Sequence, residues 1–150
     1  MNAERYSLKN ALKCGENGEI EEWIHDFLCN EGKNKAFSDG LKLFKRFYYG
    51  PVKMPLSLFK RCCGPEKDMK YMISEKLFEA YIRQMMKEIE KGWDIPPLIV
   101  NYADGAFVLN DGNHRFEAMK RYGIDEYYIV IWITEEADAA AFEDKYRCYL

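Results

Sequence analysis

Phe107-Val108-Leu109-Asn110-Asp111-Gly112-Asn113-His114-Arg115-Phe116-Glu117-Ala118 is the stretch on which the fold turns. An apolar run breaks at a polar corner and resumes with helical spacing, which reads as strand, tight turn and helix. Gly123 closes the helix that Asn113 opens. Backbone N–H groups at such a helix start lack partners, and the helix dipole adds positive potential there. Gly112 removes the side chain that would keep an anion from the backbone. Arg115 carries a forked guanidinium suited to phosphate oxygens. His114, one of only two histidines, can donate to an oxygen or move a proton near neutral pH. Asp111 can accept a hydroxyl proton or hold a metal. Asn110, Gly112, Asn113, His114 and Arg115 are therefore the candidate phosphate-binding residues, and Asp111 and His114 are candidates for catalysis. The plainer reading, a turn and helix cap with His114 and Arg115 in solvent, uses the same residues. What favours a site is the number of polar side chains gathered at one corner.

Before the corner, Asp104-Gly105 separates two apolar runs, 97–102 and 106–109, and reads as a hairpin turn because both residues tolerate positive φ. Ser74 caps a helix whose face is Leu77, Phe78, Tyr81, Ile82, Met85, Met86 and Ile89, ending at Gly92. Val52, Met54, Leu56 and Leu58 alternate with polar residues or Pro55, which predicts a strand at 52–58 on a sheet edge. Residues 61–71 have no period and read as a loop. Further back, Ile20, Trp23, Ile24, Phe27 and Leu28 form one helical stripe, and Phe37, Leu41, Phe44 and Tyr48 a second that Gly50-Pro51 stops. This helical hairpin is too small to fold alone and should pack on the C-terminal two thirds of the chain. Residues 1–16 read as a loose lead-in with room for one short helix. Beyond the corner, Tyr127 to Thr134 is aromatic and β-branched, hence a strand, and Thr134 can cap a last helix.

The corner resembles the signature of the ParB/sulfiredoxin-like superfamily, Asp-Gly-x-His-Arg followed by a Glu-Ala helix and a closing Gly. Here these are Asp111-Gly112-Asn113-His114-Arg115, Glu117-Ala118 and Gly123. The resemblance covers roughly residues 51–134 and implies an α+β fold, a small mixed β-sheet flanked by helices. On that reading residues 1–50 are an N-terminal helical extension, and residues 51–150 are the ParB/sulfiredoxin-like domain with a C-terminal helix. Sulfiredoxins place Cys where Asn113 stands, so their redox activity is not expected. Partition proteins carry Gly-Glu-Arg-Arg in the loop and a helix-turn-helix after it; only residues 135–150 come after Thr134 here, and a partition role is not expected either. Free-serine kinases of this fold are closer in the loop, since they keep Asp-Gly and His-Arg. In the superfamily the loop after the first strand faces the signature loop across a nucleotide. That brings in Arg61-Cys62-Cys63-Gly64-Pro65-Glu66-Lys67-Asp68, with Glu66 as a candidate base or Mg²⁺ ligand and Asp68 read as solvated.

The remaining composition limits the function classes. A net charge of −3 argues against a passive duplex-DNA binder. Five cysteines without a Cys-x-x-Cys pair, a polar start from Met1 to Asn10 and no long apolar run point to a reduced, cytoplasmic protein. Cys62 and Cys63 are read as thiols and not as a metal site, because no other soft ligand is spaced to complete one. The leading expectation is a nucleotide-binding domain that takes ATP or another nucleoside triphosphate. Mg²⁺-dependent transfer or hydrolysis of the terminal phosphoryl group is its catalytic form. Tyr102, Phe107 or Phe116 are the aromatic residues available to line a base pocket. A ParB-like nuclease or nucleic-acid module is the alternative, and a non-catalytic interaction domain is the third. Nothing in the sequence fixes the base, the phosphate acceptor or the oligomeric state.

Overall fold

The structure is a computed structural model and describes residues 4–150. Four strands form a mixed sheet in the order β1-β6-β4-β5: β1 (Phe47–Pro55), β4 (Leu98–Ala103), β5 (Ala106–Asp111) and β6 (Glu126–Ile133); two short strands, β2 (Cys63–Gly64) and β3 (Tyr71–Met72), pair with one another apart from it. The central pair β4–β6 is parallel, and both outer pairs are antiparallel. Helices cover both faces, giving an α+β architecture.

Period-two alternation sorts the central strands between two cores. Leu98, Val100 and Tyr102 of β4 lie with Ile129, Ile131 and Ile133 of β6. Phe116 and Met119 of α5 (Asn113–Tyr122) and Ala139 and Phe142 of α6 (Glu136–Lys145) cover that face. The opposite face offers Ile99 and Val130 to α1 (Leu8–Glu16), α2 (Ile20–Cys29) and α3 (Lys35–Leu41), through Ala11, Trp23, Ile24, Phe27, Leu28 and Leu41. The N-terminal helices thus share a core with the sheet, as their size demanded. Helix α4 (Glu75–Glu90) lies outside α5, with Phe78 and Ile82 against Ala118.

Several local expectations hold. Ser74 caps α4 through its hydroxyl, and the short helix allowed for in residues 1–16 is α1, whose cap, Ser7, was not anticipated. Asp104 and Gly105 both have positive φ, 50° and 75°, and turn the β4–β5 hairpin. Gly123, at φ 94°, closes α5. Other expectations are corrected. The second helical stripe does not reach Tyr48: α3 ends at Leu41, Phe44 is exposed, and Tyr48 sits in β1 opposite Trp132. Pairing with β6 draws residues 47–51 into the strand, and Gly50-Pro51 makes an irregularity in it between Tyr49 and Val52. A side chain at Gly50 would meet the Ile129 carbonyl oxygen at 2.5 Å, so β1 approaches β6 there as only glycine allows. The strand ends at Pro55, and Leu56–Leu58 form a 3-10 turn. β1 is an edge strand, as Pro55 implied. Thr134 caps nothing: Glu135 occupies the cap of α6, and the Thr134 hydroxyl accepts from Arg46 instead. The boundary drawn at residues 50 and 51 falls inside β1. No described helix is long and apolar enough to cross a membrane.

Candidate functional site

Strand β5 runs into helix α5 through Gly112, whose φ of 98° makes the turn. Among the described residues no side chain caps the helix start, so its first N–H groups have no side-chain partner. A cleft of about 580 Å³ opens beside this corner. Asn110, Asp111, Gly112, Asn113 and His114 line one wall. Cys62, Cys63, Lys70 and Tyr71 line the other, and Asn34, Ala36 and Phe37 come from the start of α3. The segment after the first strand therefore does face the signature loop. A smaller depression of about 380 Å³, around Ser57, Lys120 and Asp125, lies apart from these residues.

Arg115 does not join the cleft. Its side chain is buried, its Nη2 donates to the Pro97 carbonyl (3.1 Å) and to Asp111 Oδ2 (3.3 Å), and its guanidinium lies 5.2 Å from the Phe27 ring centre. A Cβ at Gly112 would meet Arg115 Nη2 at 2.7 Å and Leu98 Cδ2 at 2.5 Å. The glycine thus makes room for Arg115 beneath the turn, in addition to exposing the backbone above it. The forked phosphate contact expected of Arg115 is replaced by a buried ion pair that holds Asp111, whose side chain is 12% exposed.

Asn113 is likewise turned inward. Its Oδ1 accepts from the backbone N–H of Cys62 (2.7 Å) and of Cys63 (3.2 Å), and its Nδ2 donates to the Leu109 carbonyl (3.2 Å). The Cys62 thiol donates to the same carbonyl at 3.1 Å. Asn113 is therefore a clasp between the walls, and its amide has little left for a ligand. Asn110 Oδ1 accepts from Trp132 Nε1 at 2.9 Å, which orients its amide.

His114 lies between these two buried residues in sequence and lines the cleft. Its ring packs on Phe78 and Tyr81, with centroids 5.4 and 5.0 Å away. Its Nε2 is buried without a hydrogen-bond partner among the described residues. Burial, then the charges of Arg61 and Arg115, lower its pKa from the ordinary 6.5, against an opposing pull from Asp111. The imidazole is neutral at pH 7.

Glu66 is outside the cleft lining. Both its oxygens bond Arg61, whose hydrogen bond is the main reason its carboxyl titrates below the usual range. Arg61 also donates to Glu117 Oε1 (3.2 Å) and to the Cys63 carbonyl (3.0 Å) and lies 4.8 Å over Phe78. Glu117 in turn holds Arg121, which forks onto Glu79 at 2.6 and 2.8 Å. This chain of ion pairs ties the second wall to α5 and α4.

The aromatic residues expected around a base are elsewhere. Tyr102 and Phe116 are buried in the core, and Phe107 packs among Tyr102, Phe142 and Tyr146. The cleft is lined instead by the rings of Phe37 and Tyr71. Lys70 and Phe37 were not singled out from the sequence: the first lies in a segment without period, the second on a helix far away in the chain. Among the described residues Lys70 pairs with no carboxylate, and its ammonium lies 5.3 Å from the Tyr71 ring centre. No group of three metal-ligating side chains is present among the described residues. Burial, then the neighbouring Cys62, raises the Cys63 thiol pKa against the opposing pull of Arg61, so its setting does not activate it.

No family model matches the chain, and no curated protein matches it. Solved structures do. A Pnob8-like ParB-N domain is 20% identical, with a TM-score of 0.41, over 67% of this chain and 34% of that one. A second pNOB8-like ParB N-domain structure is 19% identical, with a TM-score of 0.38, over 62% of this chain and 30% of that one. The chain thus spans about a third of the length of these ParB chains. Sulfiredoxin from Arabidopsis thaliana is 17% identical, with a TM-score of 0.39, over 66% of this chain and 98% of that one. At these identities and TM-scores the likeness carries neither a family nor an activity to this chain.

Proposed function

We propose that the cleft binds a nucleotide, with a phosphate group seated on the backbone N–H groups at the start of α5 and the base between Phe37 and Tyr71. The observation that carries this reading is convergence. A strand-to-helix corner with an uncapped helix start, a lysine without a carboxylate partner among the described residues and two aromatic rings meet in one cleft. Its volume falls in the range of small-molecule sites, roughly 300–1,000 Å³. Lys70 supplies the mobile positive charge that Arg115 was expected to bring.

Binding is better supported than turnover. Transfer or hydrolysis of a terminal phosphoryl group asks for a carboxylate free to hold Mg²⁺ or take a proton. Asp111, Glu66 and Glu117 are each held by an arginine. The residues present do not fit a protein-bound Mg²⁺. Of the expected catalytic groups, His114 alone is left without a partner among the described residues of the cleft. A nucleic-acid backbone would need a basic track running beyond the corner. Arg121 is paired with Glu79 and Glu117, and Lys120 borders the separate depression.

A thermal-shift screen of nucleotides tests the reading. A ligand at about 100 times its dissociation constant stabilises by about 2.7 kcal/mol. We expect at least one nucleotide to raise Tm in the wild type and to raise it less in Lys70→Gln. No response to any nucleotide would overturn the proposal.

A further inference from the structure

We infer that the cleft takes a ligand bearing a single phosphate monoester, of the nucleoside monophosphate class, and takes it without a divalent cation. This rests on the nucleotide reading and narrows it.

The charges that face the cleft point this way. Its described lining holds two formally charged side chains, Lys70 and Asp111. Asp111 is matched by Arg115 at 3.3 Å beneath the turn, so the pair adds little net charge. His114 is lined up with them but neutral, because its ring is half-buried between Phe78 and Tyr81 with two arginines nearby. What remains is the Lys70 ammonium and the helix start, worth roughly half a positive charge. A phosphate monoester carries about −1.5 to −2 at neutral pH, which these two features come close to matching. Three phosphates in a row would bring far more negative charge than the walls can meet.

A triphosphate normally solves that problem with Mg²⁺, held by its own oxygens and by one or two carboxylates. Asp111, Glu66 and Glu117 are already committed. Glu66 and Glu117 flank Arg61, which also caps the Cys63 carbonyl. Freeing either would leave a guanidinium only 12% exposed and short of a partner, which is costly. Asp111 is held the same way by Arg115. The arginines that neutralise these carboxylates are thus the reason the cleft suits a smaller anion.

Titration calorimetry on the full chain distinguishes the outcomes. The probes are AMP, CMP, GMP and UMP and the matching triphosphates, each with Mg²⁺ and with a chelator. We expect a monophosphate to bind in the chelator, with an affinity that Mg²⁺ leaves within about twofold. Lys70→Gln, a change at a side chain outside the core, should weaken it by about tenfold or more. A triphosphate that binds about tenfold tighter than its monophosphate, or binding that Mg²⁺ strengthens by as much, would overturn the inference while leaving the nucleotide reading intact. Unchanged affinity in Lys70→Gln would overturn the charge assignment. Silence with every probe would overturn both.

Discussion

One wall of the cleft is built into the sheet. Residues 110–114 end β5 and open α5, and beneath them Arg115 and Asp111 form a buried pair against Phe27 and the Pro97 carbonyl. The other wall, residues 61–72, has two strands of two residues each, Cys63–Gly64 and Tyr71–Met72, paired to one another and apart from the main sheet. It is held to α5, by the amide of Asn113 and by its own Arg61 pairing with Glu117. The first wall owes its shape to the core and the second to a few polar contacts. On the proposed reading, a stable corner fixes where an anion would sit, while a lightly held segment brings Lys70 and Tyr71 to the same cleft. The division also explains why the signature residues alternate. Asn113 and Arg115 are each 7% exposed and serve the structure, while His114 between them meets the cleft.

Breaking the first wall should cost most. Arg115→Ala removes one partner of a largely buried ion pair, a change worth about 3–5 kcal/mol. We expect Tm to fall by roughly 10 °C in thermal unfolding followed by circular dichroism. A change of a degree or two would show that Arg115 is not structural. The clasp between the walls comes next. Asn113→Ala leaves the N–H groups of Cys62 and Cys63 without their acceptor, at a cost of about 1–3 kcal/mol. The larger sign should be local: faster amide hydrogen exchange across 61–72, with β4 and β6 unchanged.

Protonation of His114 sharpens the comparison, since its ring packs on α4 beside both walls. Its folded pKa lies below the ordinary value of 6.5. As pH falls through 6.5 the unfolded chain takes the proton first, so stability is full above that pH and declines as pH drops toward the folded pKa. Urea unfolding between pH 5 and 7.5 should show that decline, and His114→Phe should flatten it. His25, also shifted down by burial, shares the direction, so part of the slope remains. An unchanged slope in His114→Phe would contradict the assignment. The smallest effect belongs to the outer end of the ion-pair chain. Glu79→Gln weakens a partly exposed, solvent-screened contact to Arg121 and should barely move the urea unfolding midpoint, with nucleotide affinity unmoved.

The sequence carried the first wall well and the second poorly, for a physical reason. Asp104-Gly105, Gly112 and Gly123 each require backbone conformations that few residues adopt, so the hairpin, the corner and the end of α5 were readable one by one. The direction of a side chain at the corner was not. Whether Arg115 points out or in depends on Phe27 and Pro97, which are far away in sequence. The segment 61–72 has no hydrophobic period because it buries little, and its position comes from Asn113 and Arg61. Tyr48 was assigned to a helix because its spacing from Phe37 and Leu41 fits one, and only pairing with β6 decides otherwise. Phe37 enters the cleft because α3 packs on the far face of the sheet, which no local pattern encodes.

The central claim is that an anion sits between the start of α5 and Lys70, and amide NMR of the full chain titrated with a nucleoside monophosphate tests it most directly. The largest shift changes are expected at the N–H groups of Asn113, His114 and Arg115 and at Lys70 and Tyr71, with Ser57 and Lys120 still. Changes gathered around Ser57, Lys120 and Asp125, or none at residues 113–115, would contradict it.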